Sequence, residues 1–96
     1  MVVIIQIKPE SFETAKPETE KLIEATRKEN GILRYDWYQD LKEAGVIVIL
    51  ECYTNEEAFN AHCESEEMKG FLAKSKEWLK AEPEVRILKP EYFAKK

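Results

Sequence analysis

The stretch Val46-Ile47-Val48-Ile49-Leu50-Glu51-Cys52-Tyr53 carries no polar residue on either face for its first five positions. An antiparallel strand with one wet face alternates apolar and polar side chains, so an unbroken apolar run means that both faces are covered. Helices of the same chain can cover one face. The remainder of a 96-residue chain leaves too little material for the other, which points to a second copy of the protein. A domain of this size buries only about two-thirds of its unfolded surface, so such a partner would add usefully to a modest core.

Working outward, Ile32 to Asp40 reads as a strand and Leu41 to Gly45 as a short charged turn, which makes a hairpin with the apolar run. On the other side, Thr54-Asn55-Glu56-Glu57 has the form of a capping box, with the Thr54 hydroxyl accepting from the Glu57 amide. The helix it starts runs to about Cys63 and carries Ala58, Phe59, Ala61 and His62. Ser65, followed by Glu66 and Glu67, is a second helix start, since a hydroxyl cap and acidic first-turn residues suit the positive end of the dipole. Met68, Phe71, Leu72, Ser75, Trp78 and Leu79 then fall at helical spacing as a core stripe, Pro83 closes the helix, and Val85 to Lys89 is a last strand.

Upstream, Val2 to Lys8 is a first strand, again apolar on both faces, stopped by Pro9, which lacks the N–H a ladder needs. Phe12, Ala15, Thr19, Leu22, Ile23 and Thr26 make one stripe of a helix. Pro17 allows two forms of it: a regular helix that begins near Glu13, or one that starts at Ser11 and kinks. Asn30-Gly31 ends it with a left-handed cap. The order is strand, helix, strand, strand, helix, strand. The expected fold is therefore α+β, a ferredoxin-like βαββαβ antiparallel sheet with helices on one face. No repeat, low-complexity run or linker interrupts residues 1–96, so a single domain is expected.

With 44% hydrophobic and 35% charged residues, the composition is that of a soluble globular protein. A net charge of -4 and a pI near 5.1 argue against nucleic acid or an anionic membrane as partner. Met1 to Lys8 lacks a basic start, a long apolar stretch and a small-residue cleavage site, and the expected location is cytoplasmic. Cys52 and Cys63 form no metal or disulfide pattern and read as small apolar residues. No phosphate loop, metal-ligand cluster or nucleophile elbow is present.

Two segments carry a family resemblance. Glu29-Asn30-Gly31-Ile32-Leu33-Arg34-Tyr35-Asp36-Trp37-Tyr38-Gln39-Asp40 resembles the E-x-G-x-L-R-Y-D-x-Y-x-D strand of the antibiotic biosynthesis monooxygenase superfamily, and Leu50 to His62 resembles its Y-E-x-W-x-S-x-E-A-x-x-x-H segment. Ile7-Lys8-Pro9 matches the end of the family's first strand. The resemblance implies a dimeric α+β barrel, in which two sheets pack face to face and the C-terminal tail, here with Tyr92 and Phe93, reaches across the homodimer. It also implies cofactor-independent oxygenation of a small phenolic or quinol-type aromatic, with no cofactor and no metal. The superfamily also contains haem-degrading enzymes and an isomerase, so a non-oxidative isomerase or a non-catalytic small-molecule binder on the same scaffold is the alternative.

The candidate catalytic residues are His62 and Glu51. His62 is the one side chain whose ordinary pKa lies near neutrality, and it matches the family's helix histidine. Taken alone, a single histidine is more often structural. Glu51 shares a strand face with Ile47, Ile49 and Tyr53, either as a buried carboxylate suited to proton transfer or as an acceptor that fixes the hairpin. Tyr53, Phe59, Tyr35, Trp37 and Arg34 are candidate substrate contacts. Tyr35, Trp37 and Tyr38 divide between the two sheet faces, and Arg34 can meet an acidic substrate group or form an ion pair with Asp36 or Glu51.

Two departures qualify the resemblance. Glu67 stands where relatives often have a second histidine, and Val3 and Leu72 stand where the haem-degrading branch has an asparagine and an axial histidine. The second departure argues against haem degradation. A pocket with room for a ring, with His62 and Glu51 at its walls, would favour an enzyme; one filled by Phe59, Tyr53 and Trp78 would favour a structural or binding role.

Overall fold

A computed structural model of the chain describes residues 1–88. Strand β1 (Val2–Gln6) is followed by a 3-10 turn over Pro9–Ser11 and helix α1 (Phe12–Arg27), then by the hairpin of β2 (Ile32–Gln39) and β3 (Val46–Tyr53). Helices α2 (Glu56–Glu64) and α3 (Glu66–Ser75) and the short strand β4 (Glu84–Arg86) complete the order. The sheet runs β2-β3-β1-β4 with every pair antiparallel, the ferredoxin-like arrangement expected from the sequence.

Strand alternation divides the hairpin aromatics. Tyr35 and Trp37 lie opposite Glu51 and Ile49 on the face covered by the helices, whereas Tyr38 lies opposite Val48 on the outer face. The core under the helices gathers Ile5, Ile7, Ala15, Tyr35, Ile49 and Trp78. Each fully buried large apolar side chain there contributes about 1.5–3 kcal/mol. The outer face carries Val2 and Ile4 of β1 beside Leu50 and Val48 of β3, all half-buried. Its middle is apolar, and Arg34 with Asp36 on β2 and Glu84 with Arg86 on β4 flank it with charge.

Several local details differ from the sequence reading. The capping of α2 falls one residue later than Thr54: Asn55 Oδ1 accepts from the Ala58 amide at 2.9 Å, because an extended Asn55 directs its short amide side chain at the first turn. Ser65 does cap α3, accepting from the Met68 amide at 3.2 Å. That helix ends at Ser75 rather than near Pro83, and Trp78 reaches the core from a following turn in which its amide bonds to the Ser75 carbonyl. Pro17 sits inside α1, which begins at Phe12, with the 3-10 turn leading in. Strand β4 has only three residues, and Lys89, Tyr92 and Phe93 lie outside the described residues.

Of Asn30 and Gly31, either of which could take the left-handed cap, Gly31 does, closing α1 at φ 83°. Its carbonyl accepts from the Thr54 amide at 2.8 Å, and a Cβ built on it would meet Ala58 Cβ at 2.5 Å. Only glycine fits this left-handed corner, which seats the end of α1 against the start of α2.

Candidate functional site

Between the helix-covered sheet face and helices α2 and α3 lies a cavity of about 240 Å³. Val3, Ile5 and Ile49 line it from the sheet, and Phe59, Phe71 and Trp78 line it from the helical side. An apolar protein cavity of about 150 Å³ takes a benzene ring, so this one has room for an aromatic of one or two rings. A more open hollow of about 780 Å³ along Lys69 to Pro83 is larger, but neither His62 nor Glu51 touches it.

Polar-tipped side chains interrupt the apolar wall, among them Tyr35, Trp37, Glu51 and His62. Glu51 is 7% exposed, because strand alternation carries it inward two residues after Ile49. The Tyr53 hydroxyl donates to its Oε1 at 2.5 Å. Burial pushes the Glu51 carboxyl above the ordinary carboxylate range, while the Tyr53 hydrogen bond and nearby His62 act against the rise. Tyr53 is raised in turn, by burial first and then by Glu51. The carboxyl is thus biased towards holding a proton in an apolar setting.

His62 is 2% exposed, on the inward side of α2. Its ring meets Tyr35 edge-on at 5.6 Å and leans on Tyr53 at 5.8 Å. Nδ1 lies 3.0 Å from Glu29 Oε1, and Nε2 has no hydrogen-bond partner among the described residues. Burial pushes the Tyr35 phenol up to about 12, with Trp37 and Thr26 nearby acting against the rise. Trp37 Nε1 is buried without a partner among the described residues.

The structure therefore brings together six of the seven residues singled out in the sequence. His62, Glu51, Tyr35, Trp37 and Phe59 line the cavity, and Tyr53 holds Glu51 while stacking edge-on against Phe59 at 5.3 Å. Arg34 stands apart. Alternation sends it outward from the residue before Tyr35, where Nε pairs with Asp36 at 2.7 Å and the Tyr38 hydroxyl lies at 3.4 Å. Glu67, at the place of a second family histidine, also stays outside the cavity, in a surface hollow with Glu18 and Lys74. Among the described residues, no three His, Cys, Asp or Glu side chains gather to hold a metal ion, and no helix is long and apolar enough to cross a membrane.

Sequence reasoning assigned no role to Glu29, the partner of His62. One signal was available: an acidic residue just past the end of α1 sits at the negative end of the helix dipole, where charge of its sign is disfavoured.

The fold is shared with known proteins. The family model described as antibiotic biosynthesis monooxygenase matches residues 1–74. A Bacillus subtilis (strain 168) protein named "Putative monooxygenase YcnE" is 36% identical over 77 residues, covering 80% of this chain and 81% of that one. Among solved structures, an antibiotic biosynthesis monooxygenase superposes with a TM-score of 0.88 at 26% identity, covering 92% of this chain and 93% of that one. A conserved protein from Methanosarcina mazei Go1 does so with a TM-score of 0.86 at 31% identity, covering 92% and 87%. The match spans both hairpin strands and the helix that carries His62, and on that ground the chain belongs to the antibiotic biosynthesis monooxygenase family.

Proposed function

We propose that the protein is a homodimeric, cofactor-independent monooxygenase acting on a small phenolic or quinol-type aromatic. The observation that supports this most is a single apolar cavity, large enough for a ring, that has both His62 and Glu51 on its walls. A phenolic hydroxyl placed at His62 Nε2 gives up its proton to the imidazole. The resulting anion is electron-rich enough to react with O2 taken from solution. One oxygen atom enters a ring carbon and the other leaves as water, so a quinol plus O2 yields a hydroxyquinone plus water. The substrate supplies all four electrons.

The protein's contribution is deprotonation, exclusion of water and positioning. Tyr35, Trp37 and Phe59 sandwich the ring, and the Glu51 carboxyl, with the Tyr53 hydroxyl bonded to it, orients a second oxygen of the substrate. Trp37 Nε1, which has no partner among the described residues, is a further donor available to a ligand oxygen. The outer sheet face of Val2, Ile4, Val48 and Leu50 supports the homodimer, because a second copy would cover it.

The presence of one imidazole at the cavity favours a second reading, a non-oxidative isomerase that moves a proton without O2. Oxygen uptake with a panel of quinols separates the two. The expected result is one O2 consumed per hydroxyquinone formed, with His62→Ala slower by about 10²–10⁴-fold. Equal rates for the two proteins would remove the role of His62. Uptake no faster than in buffer would remove the oxygenase.

A further inference from the structure

We propose that Glu29 is the positioning residue of the site, fixing the His62 imidazole as its Nδ1–H tautomer and leaving the Nε2 lone pair facing the cavity as proton acceptor. The proposal rests on the reading of His62 as base. A histidine that is 2% exposed needs a hydrogen-bond partner, and Glu29 Oε1, 3.0 Å from Nδ1, is the partner it has among the described residues. A carboxylate accepts and does not donate, so the proton of that bond belongs to Nδ1, and the tautomer follows from it.

The two residues are 33 positions apart, and their meeting depends on the corner between α1 and α2. The Glu29 amide bonds to the Thr26 carbonyl at 3.0 Å, continuing the last turn of α1. Gly31 then turns the chain at φ 83° and accepts from Thr54, just ahead of α2. At the far end, the His62 carbonyl receives both the amide and the hydroxyl of Ser65, at 3.1 and 2.8 Å. Tyr35 and Tyr53 hold the ring between them. An acidic side chain at the negative end of a helix is locally unfavourable, and a local rule broken without local gain is the mark of a functional constraint. When Nε2 takes a proton, the imidazolium is stabilised by the Glu29 carboxylate on its other side, as in any carboxylate–histidine pair.

His62 is the only histidine, so its two ring-nitrogen signals can be assigned without ambiguity. Nitrogen-15 spectra of the full chain at mildly alkaline pH should show Nδ1 protonated and Nε2 bare. Glu29→Ala should shift the ring towards the Nε2–H form. Glu29→Gln, whose amide oxygen still accepts, should keep the wild-type tautomer. Turnover by Glu29→Ala should fall in kcat by roughly 10–10²-fold, the range for partners that orient a histidine, with KM little changed and most of the rate retained in Glu29→Gln. A wild-type Nε2–H tautomer overturns the proposal, as does an unchanged tautomer or an unchanged kcat in Glu29→Ala. The nitrogen signals need neither substrate nor oxygen, so they report on Glu29 even if quinol oxidation itself is not observed.

Discussion

The Tyr53 hydroxyl donates to Glu51 Oε1 across two residues of one strand face, tying the cavity's carboxyl to a phenol that does not itself line the cavity. Because burial raises the Glu51 pKa above its ordinary value of 4.5, the folded protein holds that proton more tightly than the unfolded chain does. Stability from this group is therefore complete below the unfolded pKa and is lost as pH rises through the folded one. Glu51→Gln keeps an acceptor for Tyr53 but cannot ionise. Its melting temperature should exceed that of wild type at neutral pH, and the advantage should shrink as pH falls towards about 4.5 and be gone below it. Melting curves at several pH values check this; an advantage that grows towards acid contradicts it.

Tyr35 makes the same argument at the alkaline end. Its phenol is held up to about 12 against an ordinary 10.0, so wild-type stability should fall as pH climbs from 10.0 towards 12 while the unfolded chain ionises and the folded one does not. Tyr35→Phe has nothing to titrate there. Denaturation across that window should show a shallower loss for the variant than for wild type, and parallel losses would show that Tyr35 ionises normally.

Gly31→Ala tests the corner that brings Glu29 to His62. The added Cβ would lie 2.5 Å from Ala58 Cβ and 2.8 Å from Thr54 Oγ1, at a backbone angle alanine rarely adopts. The expected cost is about 1–3 kcal/mol, read as a melting temperature lower by about 4–8 °C per kcal/mol for a chain of this size. A neutral substitution would mean that the corner is looser than the contacts imply.

The outer sheet face gives a prediction about assembly. Val48 lies between Ile4 and Tyr38 on that face, and Val48→Lys would put a charge in the middle of an apolar contact. Light scattering at micromolar concentration should find two chains per particle for wild type and one for the variant. A wild-type mass equal to one chain would leave the open face unexplained.

The fold was legible because two signals agree: an apolar run from Val46 to Leu50 that demands cover on both sides, and glycine and hydroxyl signals such as Gly31 after α1 and Ser65 before α3 that mark helix boundaries. Alternation alone placed Glu51 with Ile49 and Tyr53, but which face lies under the helices became visible only in three dimensions. Arg34 shows the limit. One residue of register separates a cavity contact from the surface ion pair with Asp36 that it forms. The Glu29 partnership with His62 spans 33 residues and depends on how α1 meets α2, a packing relationship that no local pattern carries. The shift of the α2 cap from Thr54 to Asn55 falls within the residue or two by which helix ends commonly differ.

The central claim is that a phenolic ring occupies the cavity between Glu51 and His62, and a crystal structure of the protein with a quinol bound under anaerobic conditions tests it most directly. The account predicts ring density between Trp37 and Phe59, with one hydroxyl within hydrogen-bond distance of His62 Nε2 and the other turned towards Glu51. A ring bound elsewhere, or a cavity closed by its own side chains at saturating ligand, would contradict it.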